Sequence, residues 1–160
     1  MSLADLTVSK MLEELSARKV SAVELSDAVI EAVGKRIELG AIAAFDHDIY
    51  RKKAEESDNR RGNGRAGMLD GIPLILKDNI DTRDLPTTGG TAALAGKIPD
   101  EDAPAAAALR NEGAILAAKA VMHELAFGIT SNNSVTGPAR NPYDPSMIPG
   151  GSSGGTTACW

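Results

Sequence analysis

Between Pro149 and Thr156 the chain reads Gly150-Gly151-Ser152-Ser153-Gly154-Gly155. Two adjacent hydroxyls in a run of residues without side chains can approach a base or a substrate closely, and the same composition also makes a flexible linker. A phosphate-cradling loop is a third reading, but there is no Gly-Lys-Ser/Thr ending and no dinucleotide-type glycine spacing. A serine hydroxyl that does chemistry needs a base within hydrogen-bond reach. Lys77 is one candidate, because it emerges directly from Leu74-Ile75-Leu76. Partial desolvation there disfavours the ammonium form and would make a neutral amine available near pH 7. His123 is the competing base, since a Ser/His pair is the commoner route to an activated hydroxyl. It sits where an apolar segment runs into Glu124-Leu125, a usual setting for a structural histidine. His47 lies between Asp46 and Asp48 without apolar surroundings, and neither histidine has the spacing of a metal motif.

The elements that must position these residues follow from periodicity. Val8, Met11, Leu12 and Leu15 recur at three- and four-residue spacing and predict a short helix. Ser21 and Glu24 form a capping box, so a second helix should follow with Leu25, Ala28, Val29, Ala32 and Val33 turned inward. Ile42 to Phe45 predicts a short strand, Ile49 to Ser57 an exposed charged helix, and Asn59 to Gly67 a loop in which Arg60, Arg61 and Arg65 are solvated. Ile72 to Leu76 is a continuous apolar run that predicts a buried strand delivering Lys77-Asp78-Asn79 to a surface. A helix from about Pro104 to Asn111 and a buried strand from Ala114 to Ala118 come next. This strand, helix, strand order predicts an α/β sheet with a right-handed crossover. From Gly128 to Gly155 the chain is loop-like, and a loop of that length inside a domain is usually functional or disordered.

Composition narrows the class. The chain has 160 residues, 42% hydrophobic and 24% charged, which is the balance of a globular domain. With two Phe, two Tyr and one Trp, the core must rely on Ala, Leu, Ile and Val. The net charge of −5 argues against a nucleic-acid partner, because no clustered Lys/Arg surplus exists to neutralise phosphates. Cys159 is the only cysteine, so neither a disulfide framework nor a cysteine zinc site can be built, and a reducing compartment fits. No run approaches transmembrane length and the N-terminus lacks the pattern of a secretory signal, so no membrane association and a cytoplasmic location are expected.

Three segments taken together resemble the amidase-signature family: Gly71-Ile-Pro-Leu-Ile-Leu-Lys77-Asp78-Asn79-Ile80-Asp81, then Leu85-Pro-Thr-Thr-Gly-Gly-Thr91, then Asn141 to Gly155 ending in the Gly/Ser run. The resemblance implies a serine amidase whose catalytic trio is a lysine base, a serine preceded by a cis peptide bond, and a nucleophilic serine. Carried over by motif, Lys77 is the base, Ser152 the serine that shuttles the proton, and Ser153 a supporting neighbour. The implied fold is α/β: a mixed sheet sandwiched by helices, of which this chain would be an incomplete part with N-terminal helices. The implied organisation is the N-terminal portion of a single amidase domain, with about 1–58 a mainly helical lead-in and 70–160 the motif-bearing part.

The resemblance further implies hydrolysis of a small-molecule carboxylic amide through an acyl-serine, with no metal or organic cofactor, and it leaves a homo-oligomer open. A glutamyl-tRNA amidotransferase A-like transamidase is the alternative, and Met122 to Gly128 looks closer to the small-molecule amidases. A non-catalytic fragment is the reading from another class. Two departures bear on activity. The later Gly-Gly-Ser stretch in which the family carries the nucleophile and oxyanion hole does not occur between Gly155 and Trp160, and where the family continues into a small-residue helix, Thr156 to Trp160 ends abruptly with a bulky residue. Ala118-Lys119-Ala120 stands where the family has Gly-Lys-Thr, which bears on packing. The 160-residue chain alone is therefore expected to be inactive. Its strands would lack their later neighbours, and open edges offer free N–H and C=O groups to other chains. We expect the isolated chain to unfold without a sharp transition and to associate; a two-state thermal melt from a monodisperse monomer would contradict this.

Overall fold

The computed structural model describes residues 2–159. Thr7 accepts from the Lys10 amide and starts helix α1 (Val8–Ser16), which buries Met11 and Leu15 and leaves Val8, in its exposed first turn, outside the expected apolar face. Helix α2 (Ala22–Lys35) begins with the capping box: the Glu24 amide donates to Ser21 Oγ at 3.0 Å and the Ser21 amide to Glu24 Oε2 at 2.8 Å. Of the residues expected to face inward, Leu25 is buried and Ala28, Val29, Ala32 and Val33 are half-buried.

Strand β1 (Ile42–Phe45) is followed by α3 (His47–Gly62), capped by Asp46. This helix is longer and less exposed than its charged sequence suggests. Tyr50, Ala54 and Ser57 are buried on one face, and Asp58 accepts from the first two amides of α2, Ala22 at 2.7 Å and Val23 at 3.2 Å. A carboxylate at a helix N-terminus satisfies donors that have no partner within the helix.

The expected loop from Asn59 is helix as far as Gly62, and two of its arginines are engaged rather than solvated. Arg60 donates to both carboxylate oxygens of Asp70, at 3.0 and 2.7 Å, and Arg61 donates to the Asp70 carbonyl. Asp70 is fully buried, so its charge requires this paired guanidinium. Gly113 packs against the same aspartate. Its φ is +89°, and an added Cβ would lie 2.7 Å from the Asp70 Cα, so only glycine fits.

Strand β2 (Pro73–Lys77) starts one residue later than expected and includes Lys77. Helix α4 (Pro104–Asn111) and strand β3 (Ile115–Ala120) follow. The strand order is β1-β3-β2, with β1 antiparallel to β3. The Ile115 amide donates to the Ile72 carbonyl and the Asp78 amide to the Ala120 carbonyl, an ascending register that makes β2 and β3 parallel. The sheet is therefore mixed. Its central strand, β3, is buried throughout, whereas β2 at the edge is only half-buried, contrary to the expectation of a buried strand. A short helix, α5 (Gly154–Ala158), closes the described chain.

The chain groups into two compact units. One is built from the chain up to Lys35 with Asp46–Leu74 and Ala107–Ala117; the other from Arg36–Phe45, Ile75–Ala106 and the chain from Ala118 onward. Among the described residues no helix is long and apolar enough to cross a membrane.

The Asp70 pair generates a pH prediction. Burial pushes its carboxyl up, and Arg60, Ser57 and Arg61 together more than offset this, holding it below the ordinary carboxylate range. A carboxyl depressed in the folded state contributes stability above the unfolded-chain value of about 3.9, and that contribution is lost as pH falls through the folded value. Asp70→Asn should cost about 2–3 kcal/mol at neutral pH and flatten this part of the acid dependence. Urea denaturation across pH, in a longer protein that supplies the strands' later neighbours, would check it; wild-type and variant curves that run parallel through the acid range would contradict it.

Candidate functional site

The site lies within the second unit. Lys77 is the last residue of β2, and its Nζ donates to Ser152 Oγ at 2.7 Å across 75 residues of sequence. Both side chains belong to half-buried residues. The Gly151–Ser152 peptide bond is cis. Ser153, next in the chain, precedes the first turn of α5, where its carbonyl accepts from the amide and hydroxyl of Thr157. The structure thus brings Ser152 to Lys77 and gives Ser153 a place at the start of α5.

The Gly/Ser run is an anchored loop and not a free linker. The Ser152 carbonyl accepts from the His123 amide at 2.9 Å. The buried Ser131 hydroxyl donates to the Gly150 carbonyl and accepts from the Gly154 amide, both at 2.7 Å. The Gly155 amide donates to the Val121 carbonyl at 2.8 Å, and the Val121 amide to the Ala41 carbonyl at 2.9 Å. At Gly155 an added Cβ would collide with the Val121 nitrogen and the Ala41 oxygen. Upstream, Asn133 holds the long loop by accepting from the Val135 and Thr136 amides and donating to the Met122 carbonyl.

His123 therefore contributes to the site through its backbone. Its imidazole Nδ1 lies 3.2 Å from Thr130 Oγ1, and the ring packs against Gly128. His47 is exposed at the first turn of α3, in the other unit. Among the described residues no group of three or more His, Cys, Asp or Glu side chains is placed to hold a metal ion. A cavity of about 610 Å³ is lined by Asn79, Thr87, Gly89, Met122 and Leu125, among others, and so opens onto the segment that follows Lys77.

Sequence reasoning passed over a buried polar cluster beside this segment. Lys119, in the central strand, has a side chain with 0% exposure; its Nζ donates to the Ile80 carbonyl and to Thr87 Oγ1, each at 2.6 Å. Burial pushes its ammonium down, against the opposing pull of Asp78, Asp81 and Asp84. Asp78, the neighbour of Lys77, is buried and accepts from the Thr88 amide and hydroxyl. The signal in the sequence was a single lysine inside the otherwise apolar Ile115-Leu-Ala-Ala-Lys-Ala120.

Comparison with known proteins places this geometry in context. The family model described as Amidase matches residues 24–159. The chain is 42% identical over 152 residues to the indoleacetamide hydrolase of Rhizobium radiobacter, covering 95% of this chain and 32% of that protein. It is 37% identical over 160 residues to the A subunit of the glutamyl-tRNA(Gln) amidotransferase of Thermoanaerobacter pseudethanolicus, covering 99% of this chain and 33% of that one. Among solved structures it superposes on the native peptide amidase of Stenotrophomonas maltophilia with a TM-score of 0.90 at 32% identity, over 96% of this chain and 33% of that one. The chain spans about a third of the length of these relatives.

The Gly155 contact is directly testable. In a longer protein that supplies the strands' later neighbours, Gly155→Ala should abolish the cooperative transition or cost more than about 3 kcal/mol, because two backbone segments would have to part. Gly34→Ala, in α2 where nothing lies within 4 Å of the added methyl, should instead stabilise by about 1 kcal/mol. Chemical denaturation of the two variants checks both; equal effects would show that the close approach at Gly155 is not a constraint.

Proposed function

The chain belongs to the amidase family, and from that premise we propose that Lys77 and Ser152 are the base and the proton relay of an enzyme that hydrolyses small carboxylic amides. The observation that carries this reading is the 2.7 Å hydrogen bond between Lys77 Nζ and Ser152 Oγ. With Lys77 deprotonated, the same pair carries a proton in the opposite sense, from the serine hydroxyl to the amine. Ser152 in turn takes the proton of the attacking serine as that oxygen adds to the amide carbonyl. When the tetrahedral intermediate collapses, the proton returns through Ser152 to the leaving nitrogen, and ammonia departs from an acyl-serine. Water then attacks the ester, by the same relay, to give the acid. The family pattern puts the attacking serine and its oxyanion hole in a second Gly-Gly-Ser segment later than Gly150-Gly151-Ser152, and the residues described are assigned the proton-handling half of the chemistry.

For substrate class we propose a primary amide of an aryl-acetic acid. Support comes from the relative named indoleacetamide hydrolase, at 42% identity, and from the Met122-His-Glu-Leu-Ala-Phe-Gly128 segment beside the site. The apolar Met122 and Leu125 in the cavity wall suit an aromatic group. The transamidase reading rests on the relative named as the A subunit of glutamyl-tRNA(Gln) amidotransferase, and it predicts glutamine as the preferred ammonia source. Neither reading requires a cofactor.

In an enzyme carrying these residues together with the attacking serine, ammonia release from indoleacetamide should exceed that from glutamine. Lys77→Ala and Ser152→Ala should each lower kcat/KM by about 10²–10⁴-fold. Lys77→Arg should fail equally, because a guanidinium keeps the charge and cannot serve as the base. Wild-type rates in Lys77→Arg would end the base assignment, as would an NMR titration of Lys77 at the free-lysine value of about 10.4. Preference for glutamine would favour the transamidase.

A further inference from the structure

Lys77 and Asp78 are adjacent in sequence but serve different surroundings. Lys77 Nζ reaches Ser152, whereas every polar group of Asp78 is engaged away from that contact. The Asp78 amide donates to the Ala120 carbonyl at 3.0 Å, and its carbonyl accepts from the Gly89 amide at 2.9 Å. One carboxylate oxygen accepts from the Thr88 amide at 3.2 Å and the other from the Thr88 hydroxyl. Thr88 Oγ1 also accepts from the Gly90 amide at 3.0 Å, so the turn after Leu85 is folded around the aspartate.

Lys119 completes this arrangement. Its Nζ stands 4.0 Å from Asp78 Oδ1, with 0% and 2% of the two side chains exposed. Two of its three donors bind the Ile80 carbonyl, two residues after Asp78, and Thr87 Oγ1, in the residue before Asp78's partner Thr88. A buried carboxylate without a countercharge is strongly disfavoured, and left ionised it would hold a neighbouring lysine in its ammonium form. The charged groups acting on Lys119 are Asp78, Asp81 and Asp84.

We infer that Lys119 is a positioning residue for Lys77: through Asp78 and Thr87 it fixes the direction in which Lys77 leaves β2, and it compensates the carboxylate next to the base. This rests on the assignment of Lys77 as the base. The two ideas are separable, because the wild-type titration of Lys77 judges the base, and only differences between variants judge Lys119.

The test is an NMR titration of the Lys77 side chain in an enzyme carrying these residues together with the attacking serine, as wild type and as Lys119→Met, Asp78→Asn and the double variant. Lys119→Met leaves the carboxylate uncompensated and should move the Lys77 titration up by about one unit or more. The double variant, in which both charges are gone, should return it to the wild-type position. An unmoved titration in Lys119→Met, or no restoration in the double variant, overturns the inference. Should Lys119→Met fail to fold, Thr87→Val keeps both charges and removes one acceptor of Lys119. The Lys77 titration should then shift and be rescued by Thr87→Ser, and an unchanged value in Thr87→Val overturns the inference equally.

Discussion

The close approach of the Gly155 backbone to Val121 and Ala41 is the constraint on which the site depends. A Cβ at this position has no room, and without it the Gly155 amide reaches the Val121 carbonyl at 2.8 Å. That bond and the one from the His123 amide to the Ser152 carbonyl fix the glycine-rich loop against the segment leaving β3. A hydroxyl on a loop of glycines and serines would otherwise sample many positions. Here its backbone is fixed on both sides, so the Lys77 contact needs little further ordering.

Lys77 is held by comparable means. It ends an edge strand whose partner, β3, is buried along its whole length, and the next residue is tied to Ala120 and Gly89 through its backbone. Two anchors of different origin thus meet at one hydrogen bond. Glycine contacts on the Ser152 side are steric and short-ranged, whereas the Asp78 and Lys119 pair on the other side is electrostatic and works because water is excluded from it. The base role proposed for Lys77 calls for this kind of support, since proton transfer falls steeply with small displacements of donor or acceptor.

In the unit that contains α1, α2 and α3, charges perform a structural task. Asp58 completes the start of α2, and Asp70, fully buried, ties the end of α3 to the entrance of β2 through Arg60 and Arg61. With few aromatic residues in the chain, the core is built from Ala, Leu and Ile, each burying modest area. Directional contacts at the element ends supply definition that a core of small side chains does not.

What the sequence determined by itself was local. The capping box at Ser21, the helix opened by Pro104 and the apolar runs around β2 and β3 are short-range patterns in which each residue's neighbours are its sequence neighbours, so periodicity and capping chemistry can be read directly. The family pattern likewise sits in contiguous segments, and it pointed to Lys77 and Ser152 before any contact was known. The tertiary structure decided everything that required two distant segments to meet. It chose Lys77 over His123 as the side chain facing Ser152, turned Arg60 and Arg61 from a solvated loop into partners of Asp70, and buried Lys119 in the central strand. It also placed β2 at a sheet edge although its sequence is as apolar as that of a buried strand. The physical reason is the same in each case: burial and pairing depend on what lies across a gap of a few ångströms, and the residue across that gap is set by the fold, tens of positions away along the chain.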